Sequence, residues 1–194
     1  LRPVEKRWSV ARVNGETVLD LSRKARLHPV LARILVNRGV LDEQAAALFL
    51  SPKLTDLQDP FLLPDIDKAA ERIRQAALRN QKVVVYGDYD VDGTAGIALL
   101  IQFFKLLNMD VSYYIPHRIR EGYGLNLEAV RKFAADGVQL LITVDCGINA
   151  VEEINDATGG GIDIIVTDHH EPGPEIPRAF AVINPKLPGS RYPF

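Results

Sequence analysis

The segment 83–94 constrains the fold more than any other part of this chain. It begins with a run of β-branched apolar residues, which is typical of a strand buried on both faces. Three aspartates, Asp88, Asp90 and Asp92, then follow at every second position, with a glycine on either side. A strongly apolar stretch that predicts a helix comes next. The carboxylates are therefore expected where a central strand ends and a helix begins, which is the edge where open α/β sheets bind ligands.

These closely spaced carboxylates repel one another, and a bound cation is the natural relief. The same spacing matches the start of an EF-hand calcium loop. The twelfth position of that loop would be Leu99 instead of a glutamate, and a strand instead of a helix precedes the aspartates. A calcium-sensor site is therefore not expected, and a solvated acidic turn is the alternative to a metal site.

The net charge of the chain indicates whether a nucleic acid is an expected partner. Lys and Arg number 23 against 25 Asp and Glu, a formal net charge of −2, so the overall charge does not indicate a nucleic-acid binder. A nucleic acid would have to be held by a local basic strip and by metal ions. The single cysteine, Cys146, excludes an internal disulfide and fits a reducing, cytoplasmic location. No apolar run approaches the length of a membrane span, so no membrane contact is expected.

Residues 1–64 predict a small helical appendage followed by a linker. Trp8 is expected to pack the basic first segment against other residues. Pro29 opens a helix expected over 29–37, and Asp42 caps a second helix that runs to Phe49. Two later prolines break the helical pattern.

Helical patterns alternate with apolar strands over residues 65–194, which predicts a doubly wound, mainly parallel α/β sheet. Asp65 is expected to cap an amphipathic helix. The helix expected over 95–107 carries apolar residues on every side, which predicts that it is buried all round. The other expected helices cover 127–135 and 149–157, and the strands cover 82–86, 111–115, 140–144, 162–166 and 180–183.

Acidic and imidazole side chains follow three of these strands. Because the strands are predicted to be parallel, their carboxyl ends lie at one edge of the sheet, and so many carboxylates in one crevice require cations. Mixed oxygen and imidazole ligands suit manganese, with magnesium or zinc as alternatives. The number of ligands suggests two ions, roughly 3.5–4 Å apart as in two-metal hydrolases. The residues concerned are Asp88, Asp90 and Asp92 after the first strand, Asp145 after the third, and Asp168, His169 and His170 after the fourth.

Three motifs together carry a resemblance to a known family. The segments GDYDVDG (87–93), VDCG (144–147) and DHH (168–170) resemble the DHH phosphoesterase superfamily. Within it, PHRIREGYGL (116–125) is similar to the RecJ branch of single-strand-specific 5′→3′ exonucleases, and the resemblance extends to the helical lead-in and to NPKLPG (184–189). Other branches of the superfamily carry a histidine before a PDxD motif, where this chain has Tyr86 and Gly87.

The resemblance implies roles for individual residues. The implied metal ligands are Asp88, Asp90, Asp92, Asp145 and His169. Asp90 and Asp92 would bind different ions, Asp88 would complete the first site, and Asp145 would bridge the two.

The remaining implied roles concern the substrate. His170 would contact the scissile phosphate or a ligand, and Asp168 would orient the two histidines. Arg118 is the arginine expected to bind a substrate phosphate, with Arg120 in reserve, because a planar guanidinium grips phosphate bidentately. The expected catalytic set is Asp90, Asp92, Asp145, His169 and His170.

The activity implied is hydrolysis of phosphodiester bonds in single-stranded DNA with Mn²⁺ or Mg²⁺, from the 5′ end, releasing 5′-mononucleotides, in DNA repair and recombination. Replication and repair proteins are the candidate protein partners. The family pattern places a fourth, metal-binding aspartate several tens of residues after the DHH motif, together with a C-terminal substrate-binding domain. Only 24 residues follow His170 and none is an aspartate, so the domain is expected to be incomplete and the chain inactive alone.

Two other functions stay open at this point. One is a non-catalytic relative that serves as a scaffold for replication proteins. The intact ligand set argues against it, because a scaffold has no need of clustered like charges. The other is a phosphodiesterase that acts on nano-RNA or cyclic dinucleotides.

Overall fold

Five parallel strands position the predicted site residues, and all five lie in the second of two units into which the chain divides. The computed structural model describes Ser9 and residues 11–193. The boundary between the units falls between Leu57 and Gln58. Trp8, expected to pack the first segment, lies outside the described residues.

The first unit is helical. Helix α1 spans Gly15–Lys24, α2 spans Pro29–Asn37 and α3 spans Glu43–Leu50, so the two helices predicted in this region are confirmed. Helix α1 was not predicted, although the side chain of Asn14 caps it by accepting a hydrogen bond from the amide of Glu16. The buried residues that form its small core are Val18, Leu21, Ala32, Leu35 and Ala46.

The second unit is a doubly wound α/β sheet, as predicted. Its strands run in the order β2-β1-β3-β4-β5, and every neighbouring pair is parallel. After a 3₁₀ turn at Pro60–Leu62 the elements are α4 (Ile66–Leu78), β1 (Val83–Gly87), α5 (Val91–Leu106), β2 (Val111–Tyr114), α6 (Leu127–Ala135), β3 (Leu140–Val144), α7 (Val151–Gly159), β4 (Asp163–Thr167) and β5 (Ala181–Ile183).

Helices cover both faces of the sheet because successive strand residues point to opposite sides. On β1, Val83 and Val85 pack in the same core as residues of α4 and α5. Val84 and Tyr86 pack on the other face, with residues of α6 and α7. Each face of the central strands is therefore apolar, which explains the uninterrupted apolar runs in the sequence.

Helix α5 is not buried all round, contrary to the prediction. Ile97 and Phe104 face the sheet and are buried, whereas Leu99, Phe103 and Leu106 are exposed to solvent. The prediction was wrong because the apolar composition of α5 does not determine how many elements pack against it. In the described part of the chain, some of its apolar side chains have no neighbouring element to cover them. The helix also begins earlier than expected, at Val91 instead of Ala95.

Asp65 precedes α4 as predicted, but its side chain does not cap that helix. The residue adopts a left-handed backbone conformation, φ +54°, and makes no side-chain cap. Its carboxylate instead accepts a hydrogen bond from the amide of Val182, at 3.0 Å, and so fastens the segment before α4 to the edge strand β5. None of the helices in the described part of the chain is long and apolar enough to cross a membrane.

The strand order reverses between β1 and β3. The chain leaves β1 for β2 on one side, and later strands add on the other side. In a sheet of this order, the crevice beyond the carboxyl ends of these two strands is the expected ligand site. Asp88 follows β1 and Asp145 follows β3, so both residues lie at this point.

Candidate metal centre

A close contact between the end of β1 and the start of α5 places the first acidic group. A Cβ atom on Gly93 would come within 2.5–2.8 Å of the backbone of Asp88, so only glycine allows the helix to begin against the strand end. Asp90 is the N-cap of α5, and its Oδ1 accepts a hydrogen bond from the amide of Gly93 at 3.0 Å. That hydrogen bond lowers the pKa of Asp90. Asp92 lies in the first turn of the helix and is exposed.

The end of β3 turns sharply to present Asp145. This residue has φ +60°, which is uncommon for a residue with a side chain, and its amide donates to the carbonyl of Thr167 at 2.9 Å. The hydroxyl of Thr143 donates to the carbonyl of Cys146 at 2.8 Å and closes the turn. The side chain of Asp145 is thereby held in a buried position. Burial, reinforced by the nearby charge of Asp90, raises the pKa of Asp145.

Asp168, at the end of β4, organises the two histidines. Its Oδ1 accepts hydrogen bonds from the amides of His169, at 2.7 Å, and His170, at 3.0 Å, and lies 2.7 Å from Nδ1 of His170. Its Oδ2 accepts from the amide of Ile148 at 2.9 Å, which ties this turn to the loop after β3. The hydrogen bond that the imidazole donates to Asp168 raises the pKa of His170. Asp168 thus fixes both histidines through their backbone and one of them through its ring.

The three strand ends meet at Asp145. Nε2 of His169 lies 2.9 Å from Oδ1 of Asp145, and Nδ1 of His170 lies 3.9 Å from the same oxygen. The carboxyl of Asp90 also interacts electrostatically with that of Asp145. Asp145, His169 and His170 offer ligand atoms that all lie within 4.8 Å of one another, a spacing that one metal ion could bridge.

Two buried oxygens in this region support a cation. Oδ1 of Asp88 and Oδ1 of Asp145 are inaccessible to water, and in the described part of the protein neither accepts a hydrogen bond of good geometry. The Asp145 oxygen has the imidazole of His169 beside it at 2.9 Å, whereas the Asp88 oxygen has no hydrogen-bond donor. Asp88 is only 2% exposed and Asp145 7% exposed. A buried carboxylate oxygen without a donor is costly, and coordination to a cation removes that cost. The donor set of carboxylates with imidazole suits Mn²⁺.

Asp90, Asp145, His169 and His170 form a cluster, and the other predicted site residues lie around it. Asp92 lines a cavity of about 510 Å³ together with Asp145 and His169. Arg118 and Arg120 lie on an exposed turn after β2. The structure thus brings Asp90, Asp145, His169 and His170 together, with Asp92 on the same wall and Asp88 buried at the strand end. The division of these ligands between individual ions stays a prediction.

The loop that carries the arginines is anchored at its far end. The carboxylate of Glu121 accepts a hydrogen bond from the amide of His117 at 2.6 Å and another from the hydroxyl of Tyr114. These hydrogen bonds lower the pKa of Glu121 and raise that of Tyr114 to about 12. The hydroxyl of Tyr86 donates to the carbonyl of Gly124 at 2.8 Å. Residues of β1 and β2 therefore hold the loop near the cluster of Asp90, Asp145, His169 and His170.

Tyr123 is a residue of the centre that the sequence analysis did not single out. Its hydroxyl lies 3.3 Å from the carbonyl of Asp145 and 3.3 Å from Nε2 of His170. Burial is the main cause that raises the pKa of Tyr123. The residue lies within the 116–125 motif, so the signal was present in the sequence. It also lines a second cavity, of about 310 Å³, with Asp168 and His170.

Comparison with known proteins places this arrangement in a family. A model of the DHH family's N-terminal domain matches residues 82–191, which include all three strand ends of the cluster. The chain belongs to the DHH family. Within that family its similarity to RecJ, expected from the sequence, is confirmed by relatives and by solved structures.

One such relative is the single-stranded-DNA-specific exonuclease RecJ of Bacillus subtilis (strain 168), with 43% identity over 188 residues. The alignment covers 97% of this DHH-family chain and 24% of that protein. This chain therefore spans about a quarter of the length of that relative.

Two solved structures extend the comparison to the fold. A crystal structure of exonuclease RecJ bound to manganese matches with a TM-score of 0.64 and 36% identity, over 69% of this chain and 34% of that one. A RecJ structure in complex with Mn²⁺ from Thermus thermophilus also has a TM-score of 0.64, with 28% identity over 93% of this chain and 25% of that one. Divalent metal use is thus a property of structures that share this DHH fold.

Proposed function

We propose that this chain is the metal-binding part of a hydrolase that cleaves phosphodiester bonds in single-stranded DNA from the 5′ end and releases 5′-mononucleotides. The observation that carries the proposal is the buried carboxylate of Asp145, whose ligand oxygen lies within 4.8 Å of the ligand nitrogens of His169 and His170 and whose pKa is raised by burial and by the charge of Asp90.

The residues fit a pair of Mn²⁺ or Mg²⁺ ions held by Asp88, Asp90, Asp92, Asp145 and His169. Ions bound there would acidify a water molecule and offset the negative charge on a phosphate oxygen. Asp168 holds the His169–His170 segment in place through its backbone amides. His170 is left partly exposed beside the cluster, where it could contact a phosphate.

The choice of substrate rests on similarity and on the exposed arginines. The relatives are named single-stranded-DNA-specific exonucleases, and Arg118 and Arg120 lie on the loop that packs beside the cluster. Guanidinium groups are suited to phosphate because their planar fork donates two parallel hydrogen bonds. Roles in DNA repair and recombination, contacts with replication and repair proteins, and a cytoplasmic location belong to the same proposal.

We expect the chain by itself to release no mononucleotides. Its net charge of −2 gives no general attraction to a polyanion, and phosphate neutralisation dominates nucleic-acid affinity. Two exposed arginines and the cations would have to position the strand, and a misplacement of about 1 Å can cost a hundredfold in rate. The assay incubates the purified chain with 5′-labelled single-stranded DNA and Mn²⁺. Release above that of the Asp145→Asn variant, prepared in parallel, would contradict this expectation.

A chimera tests the activity. This chain replaces the corresponding 188 residues of the Bacillus subtilis relative, which are 43% identical. The proposal expects mononucleotide release from 5′-labelled single strands in Mn²⁺, and its loss in the Asp145→Asn chimera. A folded chimera that binds Mn²⁺ and cleaves dinucleotides but not long strands would indicate a small-nucleotide phosphodiesterase. A folded chimera that hydrolyses neither would indicate a scaffold.

A further inference from the structure

A row of ring contacts connects the arginine loop to the metal cluster. The guanidinium carbon of Arg118 lies over the ring of Tyr89, 5.1 Å from its centroid. The ring of Tyr89 meets that of Tyr123 edge to face, with centroids 6.4 Å apart at 83°. Tyr123 in turn contacts the ring of His170, at 5.9 Å and 77°, and its hydroxyl donates to the carbonyl of Asp145. Arg118 thus contacts Tyr89 and Tyr89 contacts Tyr123. Tyr123 is held in place by its contacts with His170 and Asp145.

Tyr89 is well placed to restrict the side chain of Arg118. It stands between Asp88 and Asp90 in the turn that leaves β1, so its backbone is fixed by the same turn that places these carboxylates. Its ring is half-buried, whereas Arg118 is exposed on a turn. A cation–π contact with a fixed ring restricts a side chain that would otherwise sample many rotamers.

A cation–π contact also leaves an arginine able to bind phosphate. The ring face attracts the positive charge of the guanidinium without pairing its N–H donors as a carboxylate would. Two of them can then donate to one phosphate. A salt bridge would fix the arginine equally well but would occupy those donors.

We propose that Tyr89 is a positioning residue for substrate: its ring, braced by Tyr123, holds the guanidinium of Arg118 beside the cluster so that it can bind a phosphate of single-stranded DNA. This inference rests on the proposed function and adds a residue to it. The gain in affinity for DNA comes from preorganisation, because Arg118 is already ordered before the strand binds.

The first test needs no DNA. The side-chain protons of Arg118 should show an upfield ring-current shift in the NMR spectrum of the free chain. The shift should vanish in Tyr89→Leu and persist in Tyr89→Phe, because phenylalanine keeps the ring. Tyr113→Leu, which removes an exposed tyrosine of β2, is the matched control and should leave the shift unchanged. An unshifted arginine in the wild-type chain would overturn the proposal.

The second test uses the chimera described under the proposed function and measures its binding of a short 5′-phosphorylated oligothymidylate by fluorescence anisotropy, in EDTA so that no hydrolysis occurs. Tyr89→Leu should weaken binding about two- to fivefold, as expected for loss of an exposed cation–π contact. The same change should have no effect in an Arg118→Ala background. Equal weakening in both backgrounds would show that the ring contacts DNA or supports the fold, and would overturn the positioning role.

The two failures are distinguishable. If the wild-type chimera releases no mononucleotides in Mn²⁺, the proposed function fails and this inference fails with it. If the wild-type chimera releases them and Arg118→Ala weakens binding of the oligonucleotide while Tyr89→Leu does not, the inference alone fails. A normal circular dichroism spectrum for each variant separates loss of contact from loss of fold.

Discussion

Replacing Asp145 by asparagine should change the stability of the protein in opposite directions with and without metal. Asparagine matches aspartate in size and tolerates the left-handed conformation, φ +60°, that this position requires. The backbone hydrogen bond to Thr167 is unaffected. The substitution therefore removes a charge while the turn at the end of β3 is kept.

Without metal, the variant should be the more stable protein. Burial raises the pKa of Asp145 in the folded state above its ordinary value of 3.8. A carboxyl group whose pKa is raised on folding destabilises the fold increasingly as the pH rises from its unfolded pKa through its folded pKa, so a penalty is present at neutral pH. The pKa is raised although the imidazoles of His169 and His170 act to lower it, so burial and the charge of Asp90 outweigh them. An incompletely satisfied buried polar group costs about 1–3 kcal/mol. We expect the free energy of unfolding to rise by about 1–2 kcal/mol, and each kcal/mol shifts the midpoint by about 2–4 °C in a chain of this size.

With metal, the order should reverse. A ligand that binds only the folded state stabilises it by about 2.7 kcal/mol at a concentration a hundred times its Kd. Asparagine cannot supply an ionised oxygen, so the variant should lose most of this gain. The assay is thermal unfolding followed by circular dichroism, first in EDTA and then in Mn²⁺. Asp110→Asn, at an exposed position outside the cluster, is the control and should respond to Mn²⁺ as the wild type does.

Two results would refute this reasoning. If the asparagine variant is less stable than the wild type in EDTA, the carboxylate has a stabilising partner in the free protein. If Mn²⁺ stabilises both proteins equally, Asp145 is not a ligand.

Two further predictions concern the support of the site. Gly93→Ala should lower the free energy of unfolding in urea by about 1–3 kcal/mol, because its Cβ would overlap the backbone of Asp88. Gly159→Ala, where the added Cβ meets open space, should stay within about 0.5 kcal/mol of the wild type, and an equal loss in both variants would refute the packing argument. Glu121→Gln should destabilise the protein at neutral pH. Because the hydrogen bond from Tyr114 lowers the pKa of Glu121, the wild type should lose its extra stability over the variant as the pH falls through that lowered pKa. A stability difference between the two proteins that grows in acid would contradict the lowered pKa.

The central sheet could be predicted because its strands are unusually uniform. The run at 83–86 is apolar throughout and that at 140–144 is apolar except for Thr143, and such runs occur where helices cover both faces of a parallel sheet. Parallel pairing then brings the residue after each strand to one edge, so Asp88, Asp145 and Asp168 could be placed together before any coordinates were known. Strand bounds differed from the expected ones by only about one residue.

Other features depend on contacts that local sequence does not specify. Helix α5 has apolar residues all round, but the exposure of Leu99 and Phe103 depends on which elements pack beside it. Helix α1 was missed although local signals were present, namely the cap at Asn14, an acidic first turn, a basic last turn and an amphipathic pattern that buries Val18 and Leu21. Tyr123 was overlooked because its role depends on the approach of His170, which is 47 residues distant in the sequence.

The central claim is that the strand ends form a divalent metal centre, and anomalous diffraction from manganese-soaked crystals tests it most directly. We predict an anomalous difference peak in contact with the Asp145 carboxylate and Nε2 of His169, next to Asp90, and its loss in Asp145→Asn crystals soaked in the same way. Crystals of the intact fold that show no peak there, or show one only at surface carboxylates away from Asp145, would contradict the assignment.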